Sequence, residues 1–304
     1  MGFLYLLENI RIPILNEIML GITYLGDEIA FLVVALILVW CADKRTGYYI
    51  LSVGFLGTIA SQFMKLWFRI PRPWVLDENF TILEQAREGA SGYSFPSGHS
   101  QSSVGTFGSI AYTTKNKILR WVCIAICVLV PFSRMYVGVH TPLDVGVGVL
   151  LALLFIFVLK PIILGRNKNA LPIFMGVMVL IAVAYLCFVE LYPFPADIDP
   201  HNMASGRKNA YTLLGALLGL IVVYIVDENW LHFPTKAVWW AQIIKVAVGL
   251  VIALAVKEGL KVPVEGLLGA SAGRAVRYFL LVVIAGCVWP MTFKWFSKLG
   301  IKGK

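Results

Sequence analysis

Four histidines occur in the 304-residue chain, and two of them sit where the neighbouring residue types could do chemistry. In Phe95-Pro96-Ser97-Gly98-His99-Ser100, Ser97 is a good helix N-cap and Gly98 lets backbone amides approach a bound group. First-turn N–H groups and the positive end of a helix dipole favour an anion there, with His99 as a proton donor beside it. In Ser133-Arg134-Met-Tyr-Val-Gly-Val-His140-Thr141-Pro142-Leu143-Asp144, Thr141 caps a helix and Pro142 sits in its first turn. Asp144 stands four residues after His140, a spacing that lets its carboxylate accept from one imidazole nitrogen. The other nitrogen is then left basic and aimed for nucleophilic attack. A third segment, Lys65-Leu-Trp-Phe-Arg-Ile-Pro-Arg72-Pro73, supplies two cations, with Pro71 and Pro73 stiffening the loop that presents Arg72.

Each segment alone has a plainer structural reading: interfacial side chains reaching for water, a Ser-capped helix, an aspartate favouring a helix dipole. Together they meet the needs of metal-free phosphoryl transfer. Lys65, Arg72 and Arg134 supply charge, and Ser97 with the amides of Gly98 and His99 supplies neutral donors. One histidine attacks while the other protonates the leaving oxygen.

The elements that must carry these segments are membrane helices. The chain is 59% hydrophobic and 14% charged, against roughly 25% charged in a soluble domain. Apolar stretches of about 20 residues, enough to cross a bilayer, recur along its length. They read as about nine spans near 23–42, 47–67, 98–114, 119–137, 142–164, 169–190, 210–227, 237–257 and 275–296. This excludes soluble, disordered and fibrous classes and predicts an all-α, polytopic transmembrane helix bundle. Residues 1–22 read as an interfacial helix broken near Pro13, 23–165 as the chemical core, and 166–304 as appended helices. The 98–114 segment is short and rich in Ser and Gly, suited to close packing inside a bundle.

The net charge of +9 fits loops facing anionic head groups and carries no Lys/Arg run of the nucleic-acid kind. Basic residues divide almost evenly between the two sides until Lys65, Arg72 and Arg134 are set aside. The side holding Lys44, Arg45, Lys115, Lys117, Arg120, Lys160, Arg166, Lys168 and the C-terminal Lys302 and Lys304 is then favoured as cytoplasmic. The histidine segments fall on the opposite face. The five cysteines lack CxxC spacing and read as reduced, buried thiols. The first residues, MGFLYLLENIRIP, have no basic region ahead of the apolar stretch and do not read as a cleaved signal peptide.

With these residues in place, the chain closely resembles the type 2 phosphatidic acid phosphatase family of integral membrane phosphatases. The family's three blocks, K-x6-R-P, P-S-G-H and S-R-x5-H-x3-D, stand intact as Lys65 to Arg72-Pro73, Pro96 to His99, and Ser133-Arg134 to His140 and Asp144. The resemblance covers residues 23–165. It implies a helix bundle with its site at the membrane surface and His140 forming a phosphohistidine oriented by Asp144. His99 serves as acid for the leaving group and later as base for water. Lys65, Arg72, Ser97, Gly98 and Arg134 hold the phosphate, and no metal or other cofactor takes part. The expected substrate is a lipid phosphate or diphosphate such as phosphatidate, phosphatidylglycerol phosphate or a polyprenyl diphosphate, met at the outer leaflet of the plasma (inner) membrane.

Two other readings stand beside this one. A soluble phosphomonoester such as a hexose phosphate suits the same site, since glucose-6-phosphatase is a relative with a similar span layout. A transporter would use the site for binding only. Asp197-Ile-Asp199-Pro-His201 reads as a solvated loop with a weaker reading as a head-group contact. Asp27 and Glu28 read as acids at a helix start, and Lys245 as a residue that snorkels or pairs within the bundle.

Overall fold

The computed structural model describes residues 1–167 and 169–299; Lys168, Lys302 and Lys304, used above to weigh sidedness, lie outside them. Among the described residues the chain is helical, with no strand. Seven helices are long and apolar enough to cross a membrane: Lys44–Leu76, Lys117–Tyr136, Pro142–Ile163, Ala170–Leu191, Pro200–Leu231, Trp239–Leu268 and Ala270–Phe296. An eighth arises if Pro13–Gly26 and Glu28–Cys41, bent by 53° at their junction, form one span. The remaining expected span, near 98–114, is a short helical run through Gly98–Ser103, a wider π-turn at Val104–Gly108 and Ser109–Thr113. The bundle thus agrees with the expected count of about nine.

Two compact units emerge, one of Met1–Val34, Ile50–Pro161 and Phe194–Gly206, the other of Ala35–Tyr49, Ile162–Pro193 and Arg207–Lys304. The first carries every residue of the three blocks. Its outward faces are apolar, as lipid requires: Leu150, Leu154 and Phe157 on one helix are each more than half exposed. Its interior is packed through small residues. Gly54 faces the Phe31 ring, Gly57 faces Gln101, and a Cβ at Gly148 would lie 2.6 Å from the Ser97 carbonyl oxygen.

A buried cluster of Met19, Leu20, Ala86, Ala90, Tyr136, Val137 and Val139 sandwiches the segment before His140 between the Pro13–Thr23 helix and the 84–90 loop. Gly138, at φ +90, turns the chain there, and Arg11 clamps it by donating to the Tyr136 carbonyl at 3.0 Å and the Thr81 carbonyl at 2.8 Å.

In the second unit Lys245 is fully buried. Its ammonium donates to the Trp40 carbonyl at 2.8 Å and the Thr235 carbonyl at 3.2 Å, and lies 4.1 Å from the Phe293 ring centroid. Those partners satisfy it as a structural amine, in keeping with pairing inside the bundle. Lys44 and Asp227 form an ion pair at 2.6 Å in the same unit. All five cysteines are free, as expected, but only Cys123 and Cys287 are buried; Cys41 and Cys127 are half-buried, and Cys187 is exposed on an outward helix face.

Candidate active site

Three chain segments converge in the first unit, each shaped by a helix end. The Lys44–Phe68 helix stops where Arg69 enters the left-handed region at φ 51, a conformation costing about 1–2 kcal/mol for a non-glycine residue. Pro71 and Pro73 prevent resumption in the same direction, and Arg72 caps the short Pro73–Leu76 turn. The Ile70 carbonyl accepts from the Ser94 N–H at 2.8 Å, tying this segment to the one that leads into Ser97.

Lys65 and Arg72 are both buried. The Lys65 ammonium donates to the Tyr93 carbonyl. Arg72 donates to the carbonyls of Gly92 at 3.1 Å, Ser91 at 2.9 Å and Val139 at 3.1 Å. One short segment, Ser91 to Tyr93, therefore fixes both cations.

Ser97 caps the Gly98–Ser103 helix as expected, accepting from the Ser100 amide at 3.4 Å and the Ser100 hydroxyl at 2.9 Å. Its own N–H donates to the Asp144 carbonyl at 2.9 Å, joining the second and third segments backbone to backbone. Gly98 has open space where a side chain would stand, so a phosphate oxygen could approach the first-turn amides.

His140 is 1% exposed. Its Nε2 lies 2.9 Å from Arg72 NH1. A guanidinium only donates, so Nε2 must be the lone-pair nitrogen and Nδ1 the protonated one. Nδ1 points to Asp144 Oδ2 at 3.6 Å, longer than the direct hydrogen bond the i, i+4 spacing suggested. The reason is competition: that oxygen already accepts from the Thr141 N–H and the Ser94 hydroxyl, each at 2.7 Å. Ser94 also lies 3.5 Å from His140 Nδ1. Sequence reasoning passed over Ser94; its place three residues before Ser97, in the same rigid segment, was the available signal. Burial, then the charges of Arg72, Arg134 and Lys65, hold His140 well below the usual imidazole pKa, so it stays a neutral base.

His99 faces the same cluster. Its Nε2 pairs with Asp27 Oδ1 at 2.7 Å, so Asp27 does more than favour a helix start. Arg134, 1% exposed, donates through NH1 to the Thr23 hydroxyl at 2.7 Å, while its Nε and NH2 have no hydrogen-bond partner. Buried charged donors without acceptors are what an oxyanion would satisfy.

Lys65, Arg72, Ser97, Gly98, His99, Arg134, His140 and Asp144 are thus gathered in one unit. The donor set is cationic where a metal would need anions, and no group of three His, Cys, Asp or Glu among the described residues is placed to hold one. Asp199, His201 and Asn202 line a cavity of about 650 Å³ together with Arg72, Trp74 and Arg87. Within it Asp199 caps its helix by accepting the Asn202 N–H at 2.9 Å.

The sequence also matches known proteins. The PAP2 superfamily profile matches residues 45–168, and the PAP2 superfamily phosphatase transmembrane extension matches residues 211–303. The chain is 33% identical over 165 residues to phosphatidylglycerophosphatase B of Bacillus subtilis, covering 50% of this chain and 76% of that protein. It is 29% identical over 150 residues to undecaprenyl-diphosphatase BcrC of Bacillus subtilis, covering 47% and 72%. An undecaprenyl-diphosphatase of Sulfolobus acidocaldarius is 29% identical over 143 residues, covering 46% and 67%. No solved structure gives a significant match. With the blocks intact, the site assembled and a relative covered over three quarters of its length, the chain belongs to the PAP2 superfamily.

Proposed function

We propose that this protein is a membrane phosphatase that hydrolyses lipid phosphate or diphosphate esters without a metal, through a phosphohistidine on His140. The observation that carries the reading is the His140 ring: its lone pair at Nε2 faces buried cations, its Nδ1–H faces Asp144, and a second histidine stands in the same cluster. In the first step His140 Nε2 attacks phosphorus, the bond to the ester oxygen breaks, and His99 gives that oxygen its proton. Lys65, Arg72, Arg134 and the amides after Ser97 neutralise the equatorial oxygens. In the second step His99 takes a proton from water as the hydroxide attacks, releasing phosphate and restoring neutral His140.

The names of the relatives favour phosphatidylglycerol phosphate and undecaprenyl diphosphate as first substrates to try. A site on an apolar bundle suits an amphiphile whose phosphate enters the cationic pocket while its tails stay in lipid. We place the site on the non-cytoplasmic face, supported by the basic bias of the opposite loops. We assign the chemistry to residues 23–165 and read 166–304 as appended membrane helices, one of which, Pro200–Leu231, begins at the rim of the Arg72 cavity.

The test is phosphate release by purified protein from phosphatidylglycerol phosphate, phosphatidate and undecaprenyl diphosphate in one detergent, with a hexose phosphate alongside. His140→Ala should abolish release and the acid-labile phosphoenzyme together. Wild-type turnover retained in that variant would remove His140 as nucleophile.

A further inference from the structure

The first apolar helix pair is broken where it meets the site. Pro13–Gly26 and Glu28–Cys41 join at 53°, through the turn Tyr24–Gly26. Gly26 lets the turn press on the histidine helix: a Cβ there would stand 3.0 Å from both the Cβ and the carbonyl oxygen of His99 and 2.8 Å from Val130. Thr23, just before the turn, takes Arg134. Asp27, just after it, leaves in extended backbone at φ −68, ψ 153, its N–H donating to the Tyr24 carbonyl and its carbonyl accepting from Phe31. Its backbone thereby serves the helix junction, and its carboxylate reaches His99 Nε2 at 2.7 Å.

We infer that Asp27 is the positioning residue of the leaving-group acid: it fixes the His99 ring through Nε2, turns Nδ1 toward the departing oxygen, and stabilises the proton His99 must deliver. This rests on the phosphatase reading above. The groups facing His99 are Arg134 from the Lys117–Tyr136 helix, Arg72 from the loop after Lys65, His140 from the loop before Thr141, and Asp27 from the broken helix. Arg134 and Arg72 are like charges to an imidazolium, and Asp27 is the anion set against them, 2.7 Å from the ring. A proton leaves Nδ1 for the ester oxygen in the first step and returns from water in the second. Asp27 stays ionised throughout, as an orienting carboxylate does beside a catalytic histidine.

The experiment compares wild type, Asp27→Asn, Asp27→Glu, His99→Gln and Asp27→Asn with His99→Gln on two substrates in the same detergent. One is a lipid phosphate, whose alcohol must be protonated to leave. The other is p-nitrophenyl phosphate, whose phenolate leaves unaided. Asp27→Asn should move the alkaline limb of kcat for the lipid to lower pH by about one unit or more, the shift one nearby charge produces. Its lipid kcat should fall at least about tenfold, one pKa unit's worth, while the first-turnover burst of p-nitrophenolate, a step that needs no acid, falls by less than about threefold.

Asp27→Glu should keep the wild-type limb, and Asp27→Asn should add nothing to His99→Gln. A wild-type melting temperature, raised by orthovanadate as in wild type, shows that a variant is folded. An unmoved limb, equal losses on the two substrates, or an Asp27→Glu profile like that of Asp27→Asn would overturn the inference. If wild type releases no phosphate from any lipid, it is the phosphatase reading that fails. If Asp27→Asn does not fold, Asp27→Ser takes its place in the same comparison, with the same expected and overturning results.

Discussion

Arg134→Met should make the protein more stable and nearly inactive at once. The guanidinium is 1% exposed, with one hydrogen bond, to Thr23, and two nitrogens unpaired among like charges. Each buried donor without a partner costs about 1–3 kcal/mol, and the lost charged bond to Thr23 was contributing about 1.5–3 kcal/mol. Methionine fills similar volume without charge, so the balance favours the variant by about 1–3 kcal/mol, as replacing buried charges by apolar residues often does. That is a rise of a few degrees or more in Tm, measurable by intrinsic tryptophan fluorescence in detergent.

Activity should fall about 100-fold or more, the usual loss when a donor to transition-state charge is removed. Orthovanadate, a tetrahedral phosphate analogue, should restore the order. At 100 times its Kd it stabilises a binding protein by about 2.7 kcal/mol, so wild-type Tm should climb while the variant's barely moves. An Arg134→Met protein that melts below wild type without vanadate, or gains as much from it, would refute the argument that Arg134 is strained for the sake of an anion.

Ser94→Ala should lower kcat roughly tenfold with little change in KM, because Asp144 loses a 2.7 Å hydroxyl donor that fixes it beside His140 and a bond to a charged group is worth about 1.5–3 kcal/mol; steady-state kinetics on one lipid checks it. Stability should fall as pH drops below about 6.5, the unfolded imidazole value, because burial and the neighbouring cations hold the folded-state pKa of His140 well below it. His140 has a folded pKa below the unfolded one, so the unfolded chain binds a proton the folded chain refuses, and stability is full above the unfolded value. Thermal melts across pH should show this slope, and His140→Asn should make it shallower. Chelator treatment should leave phosphate release unchanged, because the donor set is cationic; restored or enhanced loss on adding EDTA, reversed by a divalent ion, would contradict it.

The parts of the site legible in sequence are those whose spacing is local. His140 and Asp144 share a helix start, Ser97, Gly98 and His99 share a cap, and Lys65 and Arg72 flank one helix end, so residue type and distance along the chain were enough to pair them. Asp27 was not legible as a partner because nothing local connects it with His99. The apolar run at 23–42 reads as one continuous span, and the bend at Tyr24–Gly26 is signalled only by Gly26 and Asp27 standing together. The 3.6 Å gap between His140 and Asp144 escaped for a related reason: it arises from Ser94, on another segment, claiming the same oxygen. The helical class and the span count were carried by composition, which three-dimensional packing does not alter.

The contact between the Ser97 and Asp144 backbones has a bearing on how such a site can change over generations. The Ser97 N–H meets the Asp144 carbonyl at 2.9 Å, and Gly148 lies so close to the Ser97 carbonyl that a methyl group would not fit. The spacing between the two loops that carry His99 and His140 is therefore gauged by main chain as well as by the Ser94–Asp144 bond. Mutations at the rim, around Trp74, Arg87 and the 199–202 turn, leave that gauge untouched. A lineage can thus drift among head groups and tail types while the width that admits one phosphoryl group is inherited unchanged, and Gly148 is the position where drift should be least tolerated.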